Sequence, residues 1–207
     1  EFTYPAGYSK EDALNVVFFG GSITNQNGWR KYTTEWFAEK FPNATCYNSA
    51  VGGTGSEYGW IRLGKDVISK NPDVVFVEFA VNDSTATTTT KYMESIVRNL
   101  NALDKKPVII FVYTANINFA TNAYTISEHE RLAKAYGIPT INIHDYAQSR
   151  YNTEPQFATD WDNKGYLGDG THPNEAGNKL YGEYVTALLT SESSKYFVKP
   201  ASNASVT

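Results

Sequence analysis

VVFFGGSITNQNGW, running from Val16 to Trp29, is the stretch that decides the fold. An unbroken apolar run ends in two glycines, and a serine follows where the chain must turn. Strand-length runs with no polar alternation mark strands buried on both faces, as in a parallel sheet covered by helices. A serine at the carboxyl end of such a strand has three ordinary uses. It can cap a helix, sit in a phosphate-binding loop or act as a nucleophile.

Working outward, the same pattern recurs. Strand candidates are Leu14–Gly20, Thr45–Ala50, Val74–Ala80, Val108–Tyr113 and Pro139–Ile143. Amphipathic segments near Trp29–Lys40, Trp60–Ser69, Lys91–Leu103 and Asn122–Tyr136 alternate with them, and a last helix is expected over Pro173–Leu189 with Pro173 in its first turn. Pro72, Pro107 and Pro139 precede or open strands, as helix terminators do. This rhythm gives an α/β fold: a three-layer α/β/α sandwich on a five-stranded parallel sheet, with right-handed crossovers. Residues 1–190 read as a single domain, and 191–207, rich in Ser and without periodicity, as a C-terminal tail or the start of a linker. In such sheets ligands sit at the carboxyl ends of the strands. The loops of interest therefore follow Phe19, Ala50, Ala80, Tyr113 and Ile143, and the Thr87–Thr90 run falls in one of them.

Composition narrows the function. The chain has 207 residues, 41% of them apolar, which suits one globular core. Net charge is −4 and no Lys/Arg cluster stands out, so nucleic acid is not an expected partner. The longest apolar run, Val74 to Val81, is interrupted by Glu78 and falls well short of the roughly 18 residues of a membrane span. Cys46 is the one cysteine, read as a small buried hydrophobe. The three histidines are far apart and no Cys/His pairing has zinc spacing, so neither metal nor cofactor is expected. Sequons at Asn43 and Asn203 permit glycosylation.

The loop chemistry is more specific. Gly20-Gly21-Ser22-Ile23-Thr24 lacks the lysine of a phosphate loop and has Thr24 where a G-x-S-x-G elbow needs glycine. Cap and nucleophile both remain open on this segment alone. "YNSAVGGTGS" (residues 47–56) brings Gly52 and Gly53 to the same sheet edge, and "VEFAVND" (77–83) brings Asn82 and Asp83. "GDGTHPNEAG" (168–177) sets Asp169 and His172 three residues apart. A hydroxyl, bare glycines, an amide and an Asp/His pair on one rim are what acyl transfer requires.

These four segments resemble, in order and spacing style, the blocks of the SGNH, or GDSL-like, hydrolases, and the resemblance runs from Val16 to about Gly177. "PDVVFVEFAVND" and "DGTHPNEAG" are similar to members acting on acetylated carbohydrates. The resemblance implies the flavodoxin-like strand order 2-1-3-4-5. It also implies Ser22 as nucleophile, His172 as base and then acid, and Asp169 as the group that holds the imidazole. An oxyanion hole would come from the backbone N–H of Ser22, the backbone N–H of Gly53 and the amide of Asn82; Gly53 is preferred to Gly52 because it lies five residues after Asn48, the family's offset. Gly20-Gly21-Ser22 departs from the family's Gly-Asp-Ser. Glycine at 21 puts loop rigidity and subfamily in question and could admit a bulkier acyl or sugar group.

Other candidates carry plainer readings. In "INIHDY", His144 and Asp145 are read as strand neighbours pointing to opposite faces, with a strand-end role. Asp83 is expected to stabilise its loop, and His129 to be a solvated helix residue. With Tyr at 15 and Trp at 4, aromatics are abundant. Trp161 and Tyr166, placed in the irregular segment Tyr151–Gly168 before the Asp/His loop, are candidate sugar contacts, with Trp29 and Trp60 next. The reading is a metal-independent serine esterase on acetylated oligo- or polysaccharide such as xylan, secreted, with further carbohydrate-active modules in the natural protein. A lipid or thioester acylhydrolase and a non-catalytic carbohydrate-binding module are the rivals.

Overall fold

The computed structural model describes residues 1–84, 87–202 and 204–207; the sequon at Asn203 lies outside them. Five parallel strands, β1 (Asn15–Gly20), β2 (Thr45–Asn48), β3 (Val74–Glu78), β4 (Val108–Tyr113) and β5 (Thr140–Asn142), form one sheet in the order β2-β1-β3-β4-β5. The chain reverses direction of sheet growth after β2, so β1 and β3 are neighbours and their carboxyl ends form the switch point.

Side-chain alternation along the strands builds a core on each face. In β1, Val16 and Phe18 point into one core while Val17 and Phe19 point into the other. The first core is covered by α2 (Trp29–Lys40), α6 (Ile143–Thr153), α7 (Pro155–Asp162) and α8 (Glu175–Ser191). The second is covered by α3 (Ser56–Asp66), α4 (Thr87–Asn101) and α5 (Ala120–Tyr136). Phe18 and Phe76 sit in register on β1 and β3, their rings stacked 5.1 Å apart and buried. Truncating either to alanine would cost about 3–5 kcal/mol.

Several boundaries differ from the sequence reading, each for a local reason. α3 begins at Ser56, four residues before Trp60, although Gly55 and Gly59 punctuate that stretch. Gly59 is tolerated because its face packs on Phe79 and Phe19 with no room for a side chain. The Thr87–Thr90 run is the first turn of α4 and not loop. Pro173 stands outside α8; Asn174 is its cap and accepts from the N–H of Gly177 at 3.0 Å. The segment 151–168 is largely helical, because Pro155 opens α7 and Phe157 and Trp161, four apart, form its buried face.

The C-terminal segment is part of the folded body. A short helix α9 (Ser193–Tyr196) leads to Phe197, which stacks on Phe41 at 5.9 Å, and the N–H of Ala201 donates to the carbonyl of Tyr136 at 2.7 Å. Glu94 accepts the N–H groups of Val206 and Thr207, each at 2.7 Å. Cys46 is half-buried, and burial pushes its thiol up to about 11, so it is a poor nucleophile at neutral pH.

Candidate active site

Gly20 closes β1 because nothing larger fits: a Cβ there would lie 2.6 Å from the carbonyl of Glu78 and 2.7 Å from the hydroxyl of Thr24. Gly21 then caps a single helical turn, α1 (Ser22–Asn25), through its carbonyl, which accepts from Asn25 at 3.0 Å. The Ser22 hydroxyl has no part in that cap. Its Oγ lies 2.8 Å from Nε2 of His172, 150 residues away in sequence. The partner of the hydroxyl is thus an imidazole and not the start of the helix.

His172 reaches Ser22 because its own loop is tightly folded. Leu167 and Pro173 form an antiparallel bridge, Gly168 donates to the His172 carbonyl at 3.2 Å, and Gly170 takes φ +90° at the turn. Within it Asp169 works with both oxygens. Oδ1 accepts the N–H groups of Thr171 and His172 at 2.9 and 2.7 Å, and Oδ2 meets Nδ1 of His172 at 2.7 Å. The backbone N–H of His172, then its ring, then the N–H of Thr171 hold the Asp169 carboxyl well below the usual carboxylate range. The aspartate is 60% exposed, so it owes its ionised state to hydrogen bonds and to water together.

The other two loops close on the same point. A Cβ on Gly52 would lie 3.8 Å from that of Ser22, and Gly53 follows with φ +72°, where glycine is favoured. The Asn82 carboxamide packs against the backbone of Gly21, filling the space a side chain there would take. Residue 21 therefore offers no extra room for substrate; that room belongs to Asn82. Asn48 ties the loops together, accepting from the N–H of Ala50 at 3.1 Å and donating to Asn25 at 3.0 Å. Beneath them, Arg62 is buried and donates to the carbonyls of Ser49 and Gly20, bracing the ends of β1 and β2. Ser22, His172, Asp169, Gly52–Gly53 and Asn82 are thus brought together, supplied by four loops.

A hydroxyl, an imidazole and an ionised carboxylate in hydrogen-bonded series can pass a proton from the hydroxyl and generate an alkoxide-like nucleophile. Residues 18–180 match the GDSL-like lipase/acylhydrolase family. The chain belongs to that family. The family is one of lipases and acylhydrolases, and the strand order found here is the one the family resemblance implied. Among solved structures, a two-domain esterase active on acetylated mannans, co-crystallized with mannopentaose, superposes with a TM-score of 0.77 at 29% identity, over 94% of this chain and 53% of that one. An acetyl xylan esterase superposes at 0.67 with 19% identity, over 85% of this chain and 100% of that one. A catalytic mutant of an acetylxylan esterase from Geobacillus stearothermophilus gives 0.68 with 14% identity, over 86% and 94%. The last two likenesses are of fold. This GDSL-like chain spans about half the length of the mannan-active esterase. No curated protein sequence matches it.

The aromatic candidates divide. Trp29 is fully buried, edge-on to Phe18 at 5.6 Å, and Trp161 is buried with its ring stacked on Phe119 at 4.9 Å and its N–H donated to the carbonyl of Ile117 at 3.0 Å. Neither ring can meet a sugar. Tyr166 is half-buried, stacked on Phe157 at 4.8 Å under the Asp/His loop. Trp60 is 43% exposed and pairs with Tyr92, ring centroids 5.7 Å apart. A cleft of about 500 Å³, whose walls do not include Trp60, is lined by Gly53, Thr54, Glu57, Tyr58, Ile61, Asn82 and Asp83 among others. Tyr58 and Ile61 were not among the sequence candidates, although both lie on the outer face of α3 and are 50% and 66% exposed.

The remaining histidines also differ from expectation. His129 is buried, not solvated: it belongs to the inward stripe of α5 with Thr125, Ile126, Leu132 and Ala133. His144 lies in the first turn of α6, not on a strand, because Asn142 caps that helix by accepting from Asp145 N–H at 2.9 Å. On a helix start the two neighbours can meet, and His144 Nδ1 lies 2.8 Å from Asp145 Oδ1 while Nε2 meets the carbonyl of Phe119 at 2.9 Å.

Proposed function

We propose that this domain is a serine esterase that removes acetyl groups from acetylated carbohydrate, xylan or mannan in type. The observation that carries the reading is the 2.8 Å contact between Ser22 Oγ and His172 Nε2, continued at 2.7 Å to Asp169. In the proposed cycle Ser22 Oγ attacks the acetyl carbonyl as its proton passes to Nε2 of His172. The tetrahedral oxyanion is held by the backbone N–H groups of Ser22 and Gly53 and the amide of Asn82. Collapse expels the sugar hydroxyl, which takes the proton from His172, and leaves an acetyl ester on Ser22. Water, deprotonated by His172, repeats the attack, and acetate leaves with Ser22 and His172 restored.

The carbohydrate assignment is supported by the likeness to the mannan-active esterase and by the cleft, whose walls include Thr54, Glu57 and Asn82. Trp60, with Tyr92 beside it, is the proposed flat surface for a sugar ring, and Tyr166 the candidate on the opposite loop. A secreted enzyme that works beside a second carbohydrate-active module completes the proposal; the two-domain architecture of that relative supports it. The test is an ester panel from acetyl to long acyl, run with acetylated xylan and mannan. The reading requires acetyl preference and acetate release from at least one polysaccharide. Turnover that rises with acyl length would favour a lipid or thioester acylhydrolase, and inactivity on every ester would favour a binding module.

A further inference from the structure

Asp83 stands one residue past Asn82 and lines the same cleft, but its carboxylate meets Ser56 and His129. Its Oδ1 accepts the N–H of Ser56 at 2.7 Å, at the start of α3 and three residues past Gly53. Its Oδ2 lies 3.1 Å from Nε2 of His129 on α5, at ion-pair distance without an aligned hydrogen bond, and these side chains are 2% and 1% exposed. The N–H groups of Asn82 and Asp83 both donate to the carbonyl of Phe79, at 3.0 and 2.8 Å, which closes the loop after β3. Gly55 leaves the carboxylate its place, since a Cβ there would lie 2.5 Å from Oδ1. One buried side chain thus joins the loop carrying Asn82, the loop carrying Gly53 and the helix behind them.

A buried carboxylate that loses a partner is left with the cost of its desolvation, so it constrains the groups around it. Oxyanion donors stabilise a transition state only when their spacing is fixed before the reaction. We propose that Asp83 is a positioning residue that fixes the spacing between the Asn82 and Gly53 donors, with His129 as its backstop. This rests on the donor assignment made above. Asp83 touches no reacting atom; it acts through the two loops.

The test is kinetic, with a chromogenic acetate ester. Asp83→Ala lowers kcat about tenfold to a hundredfold with KM nearly unchanged, the range for a small misplacement of catalytic groups. Asp83→Asn, which keeps an acceptor for Ser56 N–H, restores kcat to within about threefold of the parent. In an Asn82→Ala background the Asp83→Ala loss shrinks at least about threefold, as coupled groups require. Equal losses in the two backgrounds, or parental kcat in Asp83→Ala, would overturn the proposal. Should Asp83→Ala not fold, Gly55→Ala displaces the carboxylate instead; a fall in kcat supports the proposal and an unchanged kcat refutes it. An Asn82→Ala variant with parental kcat would overturn the donor assignment itself, a result separate from any on Asp83.

Discussion

The carboxamide oxygen of Asn82 occupies the space where a side chain on Gly21 would begin. Gly21 has φ −92° and ψ −152°, a conformation open to any residue, so glycine is needed there for space and not for backbone freedom. Gly21→Ala therefore acts chiefly on Asn82, although the added Cβ would also lie 3.1 Å from the carbonyl of Thr54. We expect kcat on a chromogenic acetate to fall about tenfold or more, with the fold intact by circular dichroism, because the amide must move. An alanine variant with parental kcat would show that Asn82 is free to shift without consequence.

Asp169 keeps its charge through the hydrogen bonds of His172 and Thr171, far below neutral pH. Asp169→Asn retains an acceptor for the two backbone N–H groups but loses the charge beside the ring. The expected fall in kcat is about 10³–10⁴, the loss seen when an imidazole is left in the wrong tautomer. Because Asp169 stays ionised, the acid limb of the parent's pH–rate profile arises elsewhere than from its protonation. A loss under about tenfold would show that Asp169 is not the group that holds the imidazole in its working tautomer.

Glu78 ends β3 beneath the Ser22 turn and is fully buried. Burial pushes its carboxyl from 4.5 up to about 7, although the Thr24 hydroxyl at 2.8 Å pulls the other way. The folded state then binds a proton that the unfolded chain releases at lower pH. The stability this contributes is complete below about 4.5 and is lost as pH rises through about 7. Glu78→Gln, which cannot ionise, should gain in melting temperature relative to the parent as pH goes from 5 to 8. A difference that does not change with pH would refute the buried titration.

The sheet was legible because both-face burial writes itself as uninterrupted Val, Ile and Phe, and β4 matches its expected bounds to the residue. The four loops of the candidate site were legible because polar residues and glycines follow each run at one sheet edge. Misreadings arose where polar composition hid a helix. Asp160, Asp162 and Asn163 around Trp161 resemble loop and hide the buried face that α7 presents through Phe157 and Trp161. The neighbours of His129, Glu128, Glu130 and Arg131, are charged as on a solvated face, although its spacing from Ile126 and Ala133 follows the inward stripe. The reach of Asp83 to Ser56 was not legible, since it joins residues 27 apart through a turn geometry that the sequence does not encode locally.

The central claim is that the Ser22 hydroxyl is the group acylated. The most direct measurement is intact mass after treatment with a fluorophosphonate, compared between the parent and Ser22→Ala, with acetate turnover followed in parallel. The account predicts one phosphonyl adduct on Ser22 with loss of activity in the parent, and neither adduct nor turnover in the folded variant. An adduct on another residue, or turnover that survives the loss of Ser22, would contradict it.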